Sequence, residues 1–272
     1  MVAPRGVPSY PYAMQPNLVA VRSDTGSRRH SLLLVHGAWH GAWCWEPFME
    51  WFAARGWDSY AIDLRGHGES GSDRSLRLTR VKHYVEDVAS VVESMDSPPI
   101  IVAHSMGGLI AQRFLENHEL PGAVLLSPVP IGGAMRATLR TLRRHPLKFL
   151  KANVLWDLKP LIEKREIAAD LFLTDDATPE QVDWMWDRLQ SESYLAYLDM
   201  LFFVRSRPQL VHSPMAVITG SEDRIFGVGE HRKTARAYGI ELEVMDGAAH
   251  DLMLGPHWEE AAQATADAAE RF

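Results

Sequence analysis

The sequence predicts an α/β protein in which a mostly parallel, doubly wound sheet is interrupted by one helical insertion. Short apolar runs rich in valine, isoleucine and leucine alternate with longer amphipathic stretches, a pattern typical of parallel strands covered by helices on both faces. This alternation stops between Val129 and His212, a gap too long for a plain loop. The chain has 272 residues and 46% hydrophobic content, which fits one core with an insertion better than two full domains.

Strand and helix signals alternate along the first half of the chain. The apolar runs predict strands at 18–22, 31–36, 58–63, 100–104 and 123–127. The first two are joined by the turn-forming residues Asp24, Thr25 and Gly26. Helices are predicted at 44–55, 80–95 and 106–117. Gly56 ends the first of these helices, and a pair of prolines beginning at Pro98 breaks the second.

The second half of the chain defines the insertion and closes the sheet. Strands are expected at 215–219 and 241–245, and helices at 230–238 and 256–272. The insertion contains helical stretches at 136–144, 158–170, 179–189 and 194–204, and no convincing strand. We therefore expect a flexible leader at 1–17, a core made of 18–128 and 213–272, and a helical cap at 129–212.

Composition narrows the range of partners and compartments. The net charge of −7 argues against nucleic-acid binding, which needs a basic face. Cys44 is the single cysteine of the sequence, so no internal disulfide marks an oxidising compartment. The proline-rich N-terminus lacks the apolar core of a signal peptide, and no stretch approaches the roughly 20 apolar residues of a membrane span. A cytoplasmic location without stable membrane insertion is the expectation.

The segment from Ile100 to Gly108 carries the strongest chemical signal. A buried strand leads directly into Ser105, and a helix begins at the next residue. A serine nucleophile at such a strand-to-helix turn needs small neighbours two residues away on either side, because larger ones would collide. Gly107 meets that requirement, and Ala103 replaces the usual glycine with another small residue. The alternative is a serine that only caps a helix.

With this motif and the run from Val35 to Trp43, the chain resembles an α/β-hydrolase, and is similar to the plant methylesterase and hydroxynitrile lyase branch and its bacterial esterase relatives. The resemblance covers 31–128 and 213–272. It implies an oxyanion hole formed by the backbone N–H groups of Ala38 and Met106. Hydroxynitrile lyases of this branch carry a polar side chain at the position of Ala38, so alanine favours ester hydrolysis.

The same resemblance implies the other members of a catalytic triad. Asp223, after the strand at 215–219, matches the acid that orients the base, and Glu222 is its nearest rival. His250, on the loop after the last strand, matches the base. The order serine, aspartate, histidine is the one expected for this fold. His36 and His104 are expected to support the site structurally.

The resemblance implies a serine hydrolase that cleaves a small-molecule ester with a hydrophobic acyl or alcohol part, without a cofactor or metal. Thioester, amide or C–C bond cleavage by the same triad is one alternative, and a ligand receptor that has kept the fold is another. The cap is expected to set the substrate, and no feature of the sequence sets an oligomeric state. The insertion also carries a basic stretch: Arg140, Arg143, Arg144, Lys148 and Lys151. This stretch is either a solvated helix face, which is favoured because Pro146 interrupts the helix, or a contact with anionic lipid.

Overall fold

A seven-stranded, almost entirely parallel sheet forms the centre of the protein. In this computed structural model the structure describes residues 15–23 and 30–272. The strands are β1 Leu18–Val21, β2 Leu32–Val35, β3 Ser59–Ile62, β4 Ile100–His104, β5 Ala123–Leu126, β6 Met215–Gly220 and β7 Leu242–Met245. Their spatial order is β1-β3-β2-β4-β5-β6-β7, so the connection from β3 to β4 crosses over β2, and later strands are added in the opposite direction along the sheet.

The first strand is the one exception to parallel pairing. β1 pairs with β3 in antiparallel register and makes no pairing with β2, although the two strands follow each other in sequence. The turn that we expected at 24–26 lies outside the described residues, as does 1–14 of the expected leader. Asn17 is held in place, because its amide donates to Ser70 Oγ at 2.6 Å and its side chain donates to Asp63 Oδ2 at 2.8 Å.

Helices cover both faces of the sheet. The helices of the core are α1 Glu46–Ala53, α2 Val81–Ser94, α3 Met106–Leu115, α9 Val228–Ala237 and α10 Trp258–Ala269, and those between β5 and β6 are α4 Met135–Arg144, α5 Pro146–Leu155, α6 Arg165–Phe172, α7 Pro179–Trp186 and α8 Tyr194–Leu198. Two apolar clusters result, one on each side of the fully buried strands β2, β4 and β5. The predicted α/β-hydrolase fold is confirmed.

The insertion is helical, but its helices differ in detail from the prediction. A helix that was not predicted, α5, begins at Pro146, which occupies its first turn, where the missing N–H costs no hydrogen bond. The helix predicted at 158–170 is two pieces, a 3₁₀ turn Lys159–Leu161 and α6. The stretch predicted at 194–204 continues from α8 into a π-helical turn, Asp199–Phe203. No helix in the described part of the chain has the length and apolar character needed to cross a membrane.

Candidate active site

Ser105 stands at a sharp turn between the end of β4 and the start of α3. Its backbone has φ 51° and ψ −115°, a region that residues with a side chain rarely adopt. The Ser105 amide donates to the Leu126 carbonyl at 3.0 Å, and the Ser105 carbonyl accepts from the Val129 amide at 3.0 Å. Hydrogen bonds on both sides of the residue therefore hold it in this strained conformation.

Close backbone approach explains why small residues surround this turn. A methyl group added to Gly107 would lie 2.4 Å from the Val35 carbonyl oxygen and 2.6 Å from that of His36. A methyl group on Gly37 would lie 2.7 Å from Nδ1 of His104. Any side chain at either position would push the turn that holds Ser105 away from the loop after β2.

Three side chains that are far apart in sequence meet beside this turn. Nε2 of His250 lies 3.0 Å from Oγ of Ser105, and Nδ1 of His250 lies 2.8 Å from Oδ2 of Asp223. The other carboxylate oxygen of Asp223 accepts from the amides of Ile225 and Phe226, both at 2.8 Å. Because a carboxylate only accepts, Nδ1 of His250 carries the proton and Nε2 is free to accept from Ser105.

The acid and the base are both buried, and each changes the pKa of the other. Burial by itself raises the pKa of a carboxyl group, but the charge and hydrogen bond of His250 outweigh it and hold the pKa of Asp223 below its ordinary value. Burial lowers the pKa of His250, and Asp223 outweighs that effect, so the pKa of His250 is raised. Glu222, the rival acid, is exposed to solvent and does not contact His250 in the described structure.

The two expected oxyanion donors border the same space as Ser105. Ala38 follows β2 and Met106 begins α3, and both line one pocket with Ser105. Within residues 15–23 and 30–272, neither of their amides donates to another protein group. The amide of Met106 also lies at the positive end of the α3 dipole, which favours negative charge.

His36 fixes the peptide group that carries the Ala38 amide. Its Nε2 accepts from the Leu64 amide at 3.1 Å, and its Nδ1 lies 2.8 Å from the Gly37 carbonyl oxygen, to which it donates. Burial, with smaller effects from nearby histidines, lowers the pKa of His36 to about 3, so the ring is neutral. A neutral His36 can satisfy one donor and one acceptor only with its proton on Nδ1, which matches both contacts.

His104 and two residues that the sequence analysis missed, His40 and Asp251, form a second buried group. Nδ1 of His40 lies 2.7 Å from the Ala38 carbonyl oxygen, and its Nε2 lies 2.9 Å from Oδ2 of Asp251. His104 donates to the His250 carbonyl at 3.1 Å, and burial lowers its pKa well below the ordinary value. This group therefore holds the backbone on both sides of the site, after β2 and after β7.

Metal-ligand chemistry is a weaker explanation for these side chains. Donor atoms of His104, His250 and Asp251 lie within 4.8 Å of one another, the one such group among the described residues. Both ring nitrogens of His250 already have partners in Asp223 and Ser105. A metal ligand would need one of these nitrogens, so the group is better explained as support for the histidine.

Glu192, in the segment between α7 and α8, is a further residue that the sequence analysis missed. It is 1% exposed, and its carboxylate accepts from Tyr84 Oη at 2.9 Å and from His67 Nε2 at 3.1 Å. It also accepts from the Trp39 amide at 3.4 Å, while the Trp39 carbonyl accepts from the Gln190 amide at 2.9 Å. A buried carboxylate is costly unless it is paired, and no sequence pattern marks the pairing because each partner is distant along the chain.

The contact to Trp39 matters because of where this residue lies. Trp39 directly follows Ala38 and has φ 66°, a conformation that is strained for a residue with a side chain. The peptide group between the two residues is held at both ends, its carbonyl by His40 and its N–H by Glu192. The insertion therefore helps to fix the loop on which the Ala38 amide lies.

We expect Glu192→Gln to lower kcat by about 10- to 100-fold with a smaller change in KM, because small misplacements of a group that acts on the transition state have effects of this size. The amide has one acceptor oxygen in place of two, so it cannot accept from Tyr84 on one side and from His67 and the Trp39 amide on the other. The measurement is steady-state kinetics on a soluble ester, with kcat corrected for the folded fraction.

Tyr84→Phe is the matched control for Glu192→Gln. It removes one hydrogen bond to the same carboxylate and leaves the Trp39 contact in place, so kcat should change less than threefold, the effect of about 0.5 kcal/mol. A lower thermal stability in Glu192→Gln with unchanged kcat per folded molecule would limit Glu192 to a structural role.

An apolar pocket of about 80 Å³ lies in front of Ser105. Besides Ser105, the core contributes Ala38, Trp39, Met106, Ile225 and Phe226 to its walls, and the insertion, beginning with Val129, supplies the rest. The other lining residues from the insertion are Ala134, Ala137, Thr138, Thr141, Phe149, Leu158, Leu161, Leu171, Tyr197 and Met200. None of the described lining residues carries a charged side chain, so the pocket suits an uncharged, apolar group.

Comparison with known proteins establishes the family. Residues 26–257 match the family model described as serine aminopeptidase, S33. The chain belongs to this α/β-hydrolase family. The identification made from the nucleophile turn and the loop after β2 is thereby confirmed at the level of the family.

Named relatives match different shares of the chain. Protein phosphatase methylesterase 1 of Bos taurus is 35% identical over 147 residues, which are 50% of this chain and 38% of that protein. Monoacylglycerol lipase of Mycolicibacterium smegmatis is 28% identical over 84% of this chain and 83% of its own length. Methylesterase 3 of Arabidopsis thaliana is 33% identical over 30% of this chain and 32% of its own length. The chain thus spans less than half of the methylesterases that it matches.

Solved structures agree on the fold. The monoacylglycerol lipase of Paleococcus ferrophilus superimposes with a TM-score of 0.72 at 20% identity, over 95% of this chain and 100% of that one. At that level of identity the similarity concerns the architecture and not the substrate.

Proposed function

We propose that this protein is a serine hydrolase that cleaves carboxylic esters with a hydrophobic acyl or alcohol part through an acyl-enzyme on Ser105. The observation that carries the proposal is the hydrogen-bonded line from Asp223 through His250 to Ser105, which opens on an uncharged apolar pocket. We further propose that 129–212 acts as the cap that selects the substrate, since most of the pocket wall comes from it.

In the proposed mechanism His250 accepts the Ser105 proton at Nε2 while Oγ attacks the ester carbonyl carbon. The amides of Ala38 and Met106 donate to the oxygen that becomes negatively charged. When the tetrahedral intermediate collapses, the C–O bond to the alcohol breaks and His250 gives its proton to the departing oxygen. Water then repeats the sequence on the acyl-enzyme, with His250 as base, and releases the acid and free Ser105.

The pocket favours esters over the peptides implied by the description of the family. An aminopeptidase recognises a charged α-amino group, which needs an acidic side chain near the nucleophile. The described lining of this pocket contains no aspartate or glutamate, and its polar side chains are hydroxyl groups such as Thr138 and Tyr197. Ester-cleaving relatives, the methylesterases and monoacylglycerol lipase described above, support the same choice.

A substrate series tests this proposal. We expect kcat/KM for p-nitrophenyl esters to rise by about fourfold for each added methylene from acetate to butyrate, because each buried methylene contributes about 0.8 kcal/mol. Matched thioesters and aminoacyl p-nitroanilides, assayed in parallel, should be poorer substrates. A negligible ester rate beside efficient thioester or anilide cleavage would contradict ester hydrolysis as the function.

Covalent labelling separates an enzyme from a ligand receptor on the same fold. A fluorophosphonate probe should label the wild-type protein at Ser105, because the probe reacts with an activated serine. Absence of labelling and of turnover on every ester tested would favour a receptor.

A further inference from the structure

The outer face of α4 and α5 exposes a row of large apolar side chains. Leu147 is 80% exposed, Leu150 60% and Val154 71%, and their spacing of three and four residues places them on one face of α5. Trp156, at the end of the same helix, is 56% exposed. An exposed apolar row of this kind marks an interaction surface.

Positive charge accompanies this apolar row. Residues 135–156 contain six arginines and lysines and no aspartate or glutamate, whereas the whole chain has a net charge of −7, so the remainder carries −13. Four of the cations pair with Glu163, Asp170 or Glu230. In the described part of the chain Arg136 and Arg143 form no ion pair and are exposed, so the face keeps a net positive charge.

We infer that this face, defined by the outward side chains of α4 and α5, docks on the surface of an anionic lipid bilayer. Apolar side chains interleaved with arginine and lysine are the composition of helices that lie in the plane of a membrane interface, with leucines among the acyl chains and cations at the headgroups. Trp156 has the amphipathic ring that is enriched at this depth.

Charge disfavours a second copy of the chain as the occupant. A twofold dimer places the same patch of each subunit against itself, so it would bring two positive faces together. A bilayer with anionic headgroups offers the opposite charge and an apolar layer at once. This inference rests on the exposed face alone, and it does not depend on the proposed ester hydrolysis.

The geometry also explains what docking would achieve. The inner sides of the same two helices contribute Ala137, Thr141 and Phe149 to the pocket in front of Ser105. A bilayer on the outer face would therefore lie one helix thickness from the pocket. Apolar substrates partition from water into such a bilayer.

Vesicle flotation tests the inference with the full chain. Wild-type protein should float with vesicles of phosphatidylcholine mixed with phosphatidylglycerol, and bind pure phosphatidylcholine vesicles at least about tenfold more weakly. High salt should weaken the binding. The triple variant Leu147→Ser, Leu150→Ser, Val154→Ser should lose at least about tenfold in vesicle affinity, since three apolar side chains no longer insert.

Matched variants separate the docking face from general surface effects. Leu78→Ser removes a 54% exposed leucine elsewhere and should leave vesicle binding unchanged, as should Arg232→Glu on α9, whereas Arg143→Glu should weaken it about tenfold. Hydrolysis of a soluble ester should stay within twofold of wild type in all of them. Failure of wild type to bind anionic vesicles, or a dimer that the triple variant dissociates, would overturn the inference.

Discussion

Ser105→Ala should lower kcat on p-nitrophenyl butyrate by about 10⁵- to 10⁶-fold, the loss expected when the nucleophile of a triad is removed. The side chain of His250 would then have no hydroxyl to activate, although the pocket and the amides of Ala38 and Met106 would remain. Binding of a non-reactive ester analogue should therefore persist. Steady-state kinetics, together with fluorophosphonate labelling of both proteins, gives the comparison.

The strained backbone adds a second readout at the same position. Ser105 has φ 51°, so Ser105→Ala keeps the strain, while Ser105→Gly releases about 1–3 kcal/mol of it. The glycine also lowers the free energy of unfolding by about 0.5–1 kcal/mol, because it has greater conformational freedom in the unfolded chain. We expect Ser105→Gly to be as inactive as Ser105→Ala, but more stable to denaturant by about 1 kcal/mol.

Ser127→Ala is the matched control for both measurements. Ser127 follows β5 as Ser105 follows β4, is buried and also has positive φ, but its Oγ contacts Thr219 and not His250. Its variant should retain activity within a few-fold. If Ser105→Ala turned over esters at a comparable rate, the acyl-enzyme on Ser105 would be wrong, and any residual activity would have to come from another nucleophile.

Local rules made the nucleophile turn predictable from the sequence. The buried strand, the small residues around Ser105 and the immediate helix start are all short-range requirements. The structure shows the reason for one of them, because carbonyl oxygens lie too close to Gly107 to admit a side chain. The positions of Asp223 and His250 came from similarity to a family. The fold explains their meeting, since parallel strands bring all the loops at their carboxyl ends to one edge of the sheet.

Long-range pairing accounts for what the sequence did not reveal. β1 pairs with the strand at the open edge of the sheet, which is β3, and not with β2, which follows β1 in sequence. The sequence order of the strands therefore did not predict this pairing. Glu192 lies in a segment without periodicity. Its role depends on hydrogen bonds with Trp39, Tyr84 and His67, which are 108 or more residues away in the sequence. Buried polar networks of this kind have no local signature.

Asp223→Asn should lower kcat by about 10⁴-fold, the cost of the wrong histidine tautomer in a triad. The introduced amide side chain can keep its oxygen on the Ile225 and Phe226 amides, which places its NH₂ group against Nδ1 of His250. The ring must then accept at Nδ1 and carry its proton on Nε2. That proton points at Ser105, so the ring can no longer act as its base.

The pH profile distinguishes this tautomer effect from loss of structure. In wild type the base works only when neutral, and its pKa is raised by Asp223, so kcat/KM should fall as pH drops through a value above 6.5. In Asp223→Asn the residual activity should fall at a lower pH, because burial then acts on His250 with only the smaller effect of Asp251 opposing it. Glu222→Gln, at the exposed neighbouring carboxylate, should keep both the rate and the profile of wild type. A near-normal rate in Asp223→Asn together with a large loss in Glu222→Gln would transfer the role of the acid to Glu222.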